Sequence, residues 1–247
     1  MNHDHGWRRL RVFANSHSAM TYLIDPPSVP SLPISGSDDR FPLHRIYCVG
    51  RNYADHAVEM GHDPDAEPPF FFMKPADTVL ESGNIFPYPS MSKDVQHEGE
   101  LVLALGQGGS NITLADAESC IVAAGVGIDM TRRDLQGEAK KAGRPWDSGK
   151  GFDNGAPCSA LVPIADPGAL GAGSIRLTVN GDVRQDGDLN QMIWKIPESI
   201  SRLSNLCTLA PGDLIYTGTP AGVGPVLQGD KIHASISGLA ELNITVG

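Results

Sequence analysis

The sequence Gln96-His97-Glu98-Gly99-Glu100-Leu101-Val102-Leu103-Ala104-Leu105-Gly106 decides how this chain is organised. The apolar run that begins at Leu101 and ends at Gly106 predicts a buried strand. Because successive side chains of a strand point to opposite faces, Glu98 and Glu100 share one face. Two adjacent carboxylates at the mouth of an apolar strand repel each other and are costly to desolvate, which favours a bound divalent cation. A solvated strand end is the alternative, because most glutamates are exposed.

A third acid follows a second apolar run. Residues 121–129 are apolar and rich in glycine, and they end on Asp129. Two strands of one core could bring Asp129 to the glutamate pair. Three oxygen ligands suit Mg²⁺ or Mn²⁺, and Ca²⁺ is also compatible. The histidines and cysteines are not spaced as in zinc sites, so Zn²⁺ is disfavoured.

Composition limits the classes of partner. The 247 residues carry 19 Lys and Arg against 29 Asp and Glu, a formal charge of −10. This charge argues against nucleic acid or an anionic membrane as the main partner, but not against a small anionic substrate. The four cysteines are scattered, which favours a reducing compartment. No apolar run reaches the roughly 20 residues that span a bilayer, and no secretory signal is recognisable, so we expect a soluble cytoplasmic protein.

The chain order predicts an α+β fold with a strand-rich mixed core. Residues 1–42 are predicted to form an extended, partly flexible arm, because residues 25–42 are rich in Pro, Ser and Gly. Residues 43–247 form the predicted catalytic domain. Asn180-Gly181 indicates a two-residue hairpin turn. The patterns predict strands at 45–50, 70–74, 158–164 and 174–180, and helices at 114–120, 131–141 and 196–209.

Polar side chains elsewhere could supply the chemistry. His56 and Glu59 are three residues apart on one predicted helical turn, so the carboxylate could orient the imidazole as a general base; a surface pair is the alternative. The glycine loop 216–224 could bind an anion through its N–H groups or be a plain turn. Cations near a metal could hold a substrate carboxylate and stabilise an oxyanion, or each could be an ordinary surface residue. The polar groups considered for this role are Lys74, Arg133, Gln136 and Lys150.

Taken together, these segments resemble the fumarylacetoacetate hydrolase family from about residue 46 to the C-terminus. The matching stretches are 47–56 (YCVGRNYADH), 72–77 (FMKPAD), 97–101 (HEGEL), 129–136 (DMTRRDLQ), 143–146 (GRPW), 150–153 (KGFD), 212–220 (GDLIYTGTP) and 222–225 (GVGP). Residues 60–65, 67–72 and 192–194 look most like the fumarylpyruvate hydrolases of gentisate breakdown. Gly99 and the run Ala139-Lys140-Lys141 depart from the expected pattern, and Gly99 could loosen its strand.

The resemblance implies a dimer with a divalent metal held by Glu98, Glu100 and Asp129. It implies that His56 and Glu59 lie on a lid, about residues 51–69, and that Lys150 acts near the oxyanion. It further implies that the substrate's keto-acid end contacts a set of polar side chains. These are Arg133, Gln136 and Thr219, with Lys74 near the same pocket.

The predicted reaction is hydrolytic cleavage of a C–C bond in a 2,4-diketo acid, an acylpyruvate. Here His56 activates water, Lys150 stabilises the oxyanion, and the cation absorbs the charge of the pyruvate enolate. Oxaloacetate decarboxylation, or a dienedioate decarboxylase or isomerase reaction, is an alternative on the same scaffold. A metal-dependent binding protein without turnover is a further alternative. The cations available for a distal carboxylate are Arg51, Arg132, Arg144 and His62.

Overall fold

The computed structural model describes residues 22–54 and 69–247. The strands are β1 (Ser31–Pro33), β2 (Arg40–Pro42), β3 (Ile46–Gly50), β4 (Phe70–Lys74), β5 (Val79–Glu81), β6 (Ile85–Phe86), β7 (Val95–His97), β8 (Gly99–Leu105), β9 (Ile121–Ile128), β10 (Thr131–Arg132), β11 (Ala156–Cys158), β12 (Val162–Pro163), β13 (Ser174–Val179), β14 (Asp182–Asp188), β15 (Leu214–Tyr216), β16 (Gly224–Pro225), β17 (Lys231–Ile236) and β18 (Leu242–Val246). The α-helices are α1 (Leu114–Ala117), α2 (Arg133–Lys141), α3 (Asp147–Lys150) and α4 (Ile196–Leu206). Short 3₁₀ turns lie at Ala76–Thr78, Glu118–Cys120, Pro167–Gly171 and Leu189–Gln191.

A mixed eight-stranded sheet forms the centre, in the order β4-β3-β15-β8-β9-β11-β5, with β12 paired to β9 beside this path. The pairs β3–β15 and β5–β11 are parallel, and the other neighbours along the path are antiparallel. Every residue of β8 is buried, because both faces of this strand are covered. That double burial explains why β8 reads as a continuous apolar run.

A five-stranded sheet, β14-β13-β17-β18-β6, packs over one face of the central sheet. Leu101 and Leu103 of β8 join Leu177 of β13 and Ile232 of β17 in the larger apolar cluster. The opposite face of β8 packs in a second, smaller cluster around Val102. Smaller sheets are β10-β7-β16 and the hairpin β1–β2. The structure confirms the predicted α+β class with a strand-rich mixed core.

Most predicted elements are present with shifted ends, but the strand predicted at 158–164 is two short strands, Ala156–Cys158 and Val162–Pro163. The helix predicted from residue 131 begins at Arg133, because Thr131 pairs with Gln96 of β7. The helix predicted to residue 209 ends at Leu206, because Leu209 exchanges backbone hydrogen bonds with Gly109. Backbone pairing with other segments therefore decides where these two helices begin and end, which the periodicity of the sequence alone does not fix.

The predicted hairpin turn is confirmed, and a threonine caps the first helix. Asn180 and Gly181 have φ values of 54° and 87°, and the hairpin β13–β14 turns on them. Two positive φ angles are what a two-residue hairpin turn needs. Thr113 caps the first helix by accepting the N–H of Asp116 at 3.3 Å.

Part of the predicted arm packs on the domain. Leu32 of β1 is fully buried, and Ile34 forms a parallel bridge with Leu161. Ser35 N–H also donates to the carbonyl of Leu161 at 2.8 Å. These residues of the arm therefore pack against the rest of the described structure. The domain boundary predicted at residue 42 stays a prediction. Within residues 22–54 and 69–247, no helix has the length and apolarity needed to cross a membrane.

Candidate active site

The three acids predicted as metal ligands lie together at one end of the β8–β9 ladder. Gly99 and Ile128 are the last pair of residues in the β8–β9 ladder. Glu98 therefore precedes this pair on one strand, and Asp129 follows it on the other. The Asp129 N–H donates to the Glu98 carbonyl at 2.8 Å. Side-chain oxygens of Glu98, Glu100 and Asp129 lie within 4.8 Å of one another, and all three residues are buried. The strand register thus places the third acid beside the glutamate pair.

Lys150 contributes a buried positive charge to this cluster. Its Nζ lies 2.6 Å from Asp129 Oδ2 and 2.8 Å from Glu98 Oε2, and it donates to Thr131 Oγ1 at 2.6 Å. Burial alone lowers the pKa of Lys150, but the Asp129 and Glu98 carboxylates outweigh it, so the pKa is raised above the ordinary value. Lys150 is therefore held as an ammonium group, which donates hydrogen bonds and does not act as a base.

Lys74 lies behind the cluster, on the side away from the cavity. Its Nζ is 2.8 Å from Asp129 Oδ1 and donates to the carbonyls of Met130 and Lys150. The Lys74 side chain is fully buried and does not line the cavity. Since a buried ammonium needs such partners, the structure ties Lys74 to Asp129.

The carboxylates keep acceptor capacity that these lysines do not use. Asp129 Oδ1 is buried without a hydrogen bond, because its contact with Lys74 lies outside hydrogen-bond geometry. Glu100 accepts the Gly218 N–H at 2.8 Å and has no ion pair with a cation among the described residues. Burial, and then the charges of Asp129 and Glu98, raise the pKa of Glu100 well above its ordinary value. An oxygen-only donor set with uncompensated charge fits a hard divalent cation.

Arg133 organises the next group of polar side chains. It donates to Gln96 Oε1 and to Gln136 Oε1, each at 2.8 Å, and it forms an ion pair with Glu98. Because Gln136 Oε1 accepts from Arg133, its amide nitrogen is left as a donor without a hydrogen bond among the residues that the structure describes. Gln136 is buried and lines the cavity.

Thr219 is held by a buried glutamine that sequence reasoning missed. Gln185 Oε1 accepts the Gly99 N–H at 2.9 Å, and its Nε2 donates to Thr219 Oγ1 at 2.7 Å and to the Pro220 carbonyl at 2.8 Å. The Thr219 hydroxyl in turn donates to the Gly99 carbonyl at 2.8 Å. The Gln185 side chain therefore joins β8, the strand that carries Glu100, to the glycine loop 216–224.

The same contacts explain Gly99. A Cβ at this position would lie 3.2 Å from Gln185 Oε1 and 3.2 Å from Leu177 Cδ1. The glycine leaves room for the glutamine to reach the backbone of β8. Gly99 therefore permits a close contact, and the pairing of β8 with β9 is regular from Gly99 to Ala104.

One cavity connects these groups with an aromatic wall. Phe70 and Trp146 meet edge to face with ring centroids 5.1 Å apart, and Phe72 lies 5.8 Å from Trp146. The cavity is lined by Val49, Gly50, Arg51, Phe70, Phe72, Glu98, Glu100, Arg133, Gln136, Lys140, Trp146, Lys150, Gly218 and Thr219. All the predicted ligands and substrate contacts line it except Asp129 and Lys74, which lie behind Lys150.

The cations considered for a distal carboxylate separate into two groups. Arg51 lines the cavity, with its guanidinium 5.2 Å from the Phe70 ring centroid, and has a left-handed φ of 56°. Arg132 instead stacks at 4.2 Å over Phe152, and Arg144 is exposed; neither lines the cavity. The proposed base His56 and its partner Glu59 lie outside the described residues, as does His62, so their roles stay predictions.

Comparison with known proteins places this geometry in context. Residues 45–247 match the sequence model of the fumarylacetoacetate (FAA) hydrolase C-terminal family. Fumarylpyruvate hydrolase of a Ralstonia species is 44% identical over 185 residues, which cover 75% of this chain and 96% of that protein. Mitochondrial oxaloacetate tautomerase of Mus musculus is 43% identical over 204 residues, covering 81% and 90%. These two identities are too similar to separate the activities.

A solved structure shows the same fold with a bound metal. Fumarylpyruvate hydrolase from Pseudomonas aeruginosa, in complex with Mn²⁺ and pyruvate, superposes with a TM-score of 0.89 at 48% identity. The match covers 92% of this chain and 99% of that chain. Together with the acidic cluster, this relative points to a divalent metal.

Proposed function

This chain belongs to the fumarylacetoacetate hydrolase family, and we propose that it is a metal-dependent hydrolase that cleaves fumarylpyruvate to fumarate and pyruvate. The observation that carries the proposal is a cavity lined by Glu98, Glu100, Lys150 and Gln136, with Asp129 beside the two glutamates completing a buried carboxylate triad. The solved relative at 48% identity, whose complex holds Mn²⁺ and pyruvate, supports the choice of substrate. A role in gentisate breakdown, a cytoplasmic location and a homodimer stay predictions.

For the cation, the proposed ligands are Glu98, Glu100 and Asp129. The buried acceptor Asp129 Oδ1, which lacks a hydrogen bond, and the unpaired charge of Glu100 fit such an ion. When bound, Mg²⁺ or Mn²⁺ supplies Lewis-acid stabilisation of negative charge on the oxygens of the keto acid. Lys74 is assigned here to hold Asp129 in place, because its contacts are with that carboxylate and two backbone carbonyls.

The keto-acid end of the substrate is oriented by α2 and the glycine loop. Gln136 offers its amide N–H groups, and its orientation is imposed by the hydrogen bond from Arg133. The Thr219 hydroxyl is already used on the Gly99 carbonyl, so Thr219 contributes through its backbone N–H. Donors that are held before the substrate arrives need little reorganisation during the reaction.

Lys150 stabilises the oxyanion that forms at C4 through the positive charge of its ammonium group, since its three N–H groups are already engaged. Its raised pKa keeps the ammonium protonated, and its three hydrogen bonds hold it at the cavity wall. A fixed ammonium that faces developing negative charge in a site shielded from water is worth far more than the same group in solvent.

Water activation is assigned to His56, oriented by Glu59, as predicted from their spacing. The imidazole takes a proton from water, and the resulting hydroxide attacks C4. The C3–C4 bond then breaks, its electron pair passes to C3 as the pyruvate enolate, and protonation at C3 releases pyruvate. A positioned base of this kind contributes about 10²–10⁴-fold.

The test is an assay of enol absorbance with fumarylpyruvate and Mn²⁺, run in ¹⁸O-labelled water. We expect the enol absorbance to disappear and one ¹⁸O atom to enter the fumarate. The cleavage step should introduce no ¹⁸O at the carbonyl of pyruvate. Consumption of the enol without ¹⁸O in the acid product would contradict hydrolysis. Chelation of the metal should abolish the reaction.

The second candidate is oxaloacetate tautomerase, favoured by the 43% identity to the mouse enzyme over 90% of its length. That reaction, and decarboxylation of oxaloacetate, need proton transfer but no attacking water. Turnover of oxaloacetate with no cleavage of fumarylpyruvate would favour this candidate. A protein that binds Mn²⁺ and consumes neither substrate would be a binding protein without turnover.

A further inference from the structure

The end of the cavity away from the carboxylates is built from aromatic rings and cations. Trp146 packs against Phe70 edge to face at 5.1 Å. The Lys140 ammonium lies 4.9 Å from the Trp146 ring centroid, and the Arg51 guanidinium lies 5.2 Å from that of Phe70. Two cations therefore flank one pair of rings, and all four side chains line the cavity.

Helix α2 carries a row of polar side chains along the cavity. Arg133, Gln136 and Lys140 all line it, and their spacing of three and then four residues places them on one helix face. At a rise of about 1.5 Å per residue, Lys140 lies roughly 6 Å beyond Gln136 along the helix axis. The row begins at the proposed keto-acid end and ends at the aromatic wall.

Lys140 is the cation of this row that pairs with no carboxylate among the described residues. Arg133 is committed to Glu98, Gln96 and Gln136. In the part of the chain that the structure describes, Lys140 has no ion pair and no hydrogen bond, and its ammonium lies over the ring of Trp146. Burial, and then the charges of Arg133 and Arg51, lower the pKa of Lys140 to about 8. The site at Lys140 is thus short of negative charge.

The described residues that line the cavity show more cations than carboxylates. The cations Arg51, Arg133, Lys140 and Lys150 face the carboxylates Glu98 and Glu100 across the cavity. The carboxylates lie at the proposed metal end, where Arg133 and Lys150 pair with Glu98, so among the described residues Lys140 is a cation left without an acid towards the aromatic wall. An anionic group on the ligand would complement that wall.

We propose that Lys140, together with Arg51 and the rings of Phe70 and Trp146, forms a subsite for a terminal carboxylate on a flat acyl chain. The proposal rests on the proposed function, since it assigns the acyl end of the same keto-acid substrate. The rings offer apolar surface to a planar conjugated chain, and Lys140 donates to the carboxylate at its end. Arg132 and Arg144 are excluded from this role because neither lines the cavity.

Binding of two inert probes tests the subsite without turnover. The probes are 2-oxoheptanedioate and 2-oxoheptanoate, which share the keto acid and chain length and differ only in the terminal carboxylate. Calorimetry is run on the Mn²⁺-loaded protein and on the K140Q, K140R and K141Q variants. Lys141 is the matched control, because it is the adjacent lysine and is exposed outside the cavity lining.

We expect the wild-type protein to bind the dioate about 10-fold or more tightly than the monoacid, as a charge-assisted hydrogen bond requires. K140Q should remove most of this preference, whereas K140R and K141Q should keep it. Equal affinity of the wild type for both probes, or a preference that survives in K140Q, overturns the subsite. Since neither probe can be hydrolysed, the result is independent of whether fumarylpyruvate is cleaved.

Discussion

The two ends of the cavity hold their charges in opposite ways. At the carboxylate end, Lys150 alone makes hydrogen bonds to two acids and a hydroxyl, and Asp129 is fully buried. At the aromatic end, Lys140 lies over the face of the Trp146 ring and has no ion pair or hydrogen bond among the described residues. The first arrangement holds a charged site in one geometry before a ligand arrives, whereas the second leaves a cation for the ligand to neutralise. Buried charges must be paired by the fold, and half-exposed ones need not be.

Removal of Glu100 should have the largest effect, because it is a proposed metal ligand at the carboxylate end and has no ion pair with a cation among the described residues. For Glu100→Gln, we expect Mn²⁺ affinity to fall by more than the roughly 10–100-fold cost of losing a partner outside the ligand set. Activity should fall with it. The measurement is calorimetry with Mn²⁺, supported by the rise of Tm that the metal causes in the wild type.

Glu138→Gln is the matched control for this prediction, since Glu138 is exposed on α2 and does not line the cavity. It should bind Mn²⁺ as the wild type does. Undiminished Mn²⁺ binding by Glu100→Gln would rule out Glu100 as a ligand.

Replacement of Lys150 should separate metal binding from chemistry at the same end. Lys150→Met keeps the length of the side chain and removes its charge, so we expect kcat to fall by about 10²–10³-fold, the usual cost of one oxyanion donor. Mn²⁺ should still bind, because the three carboxylates remain and lose a competing cation. Steady-state kinetics and calorimetry together check this, and a loss of Mn²⁺ affinity equal to that of Glu100→Gln would contradict it.

Gln185 tests whether the carboxylate end depends on support from the second sheet. Gln185→Met leaves the Gly99 N–H and the Pro220 carbonyl without their partner, so we expect a loss of about 1–3 kcal/mol in the free energy of unfolding. We also expect kcat to fall more than KM rises, because the ligand strand and the Thr219 loop shift together. Urea unfolding and kinetics on the same preparation provide the two readouts; unchanged kcat would limit Gln185 to a structural role.

The smallest effect is expected from pH at the aromatic end. Lys140 has a pKa lowered to about 8 by burial and by Arg133 and Arg51, with a further contribution from Lys150, while Glu98 opposes the shift. The ammonium is therefore present below pH 8 and is lost as pH rises through that value. We expect kcat/KM for fumarylpyruvate, relative to acetylpyruvate, to fall by up to about 10-fold between pH 7 and pH 9.

The matched variant for this pH dependence is Lys140→Arg, since an arginine stays charged throughout this range. Its preference for fumarylpyruvate should persist at pH 9. A ratio that falls equally in the wild type and in Lys140→Arg would assign the titration to another group.

Strand pattern and turn chemistry account for the part of the fold that sequence predicted. The run 101–105 lies in a central strand, as its unbroken apolar character indicates, and Asn180-Gly181 forms the predicted hairpin turn. Thr113 caps a helix, as its side chain favours. These features depend on residues within a few positions of one another, so local rules are enough to predict them.

Long-range packing decided the rest. The helix predicted from residue 131 starts later because Thr131 pairs with a distant strand, and residues 31–33 join the core through contacts near Leu161. The resemblance implies that Lys74 lies near the substrate pocket, and the structure places its ammonium 2.8 Å from Asp129 Oδ1. Periodicity identifies which side chains are buried, and it does not identify which buried partner each one meets.

By itself, the sequence determined that Glu98 and Glu100 share a face and that Asp129 ends a second apolar run, because the two-residue period of a strand is a local property. Only the tertiary structure decided that the ladder pairs Gly99 with Ile128 and so brings the three acids together. It also decided that Gln185 supports them and that Lys140, two turns beyond Arg133, faces the same cavity. The physical reason is that strand register and the packing of a helix against a sheet are set by contacts between segments far apart in the chain, which no local pattern encodes.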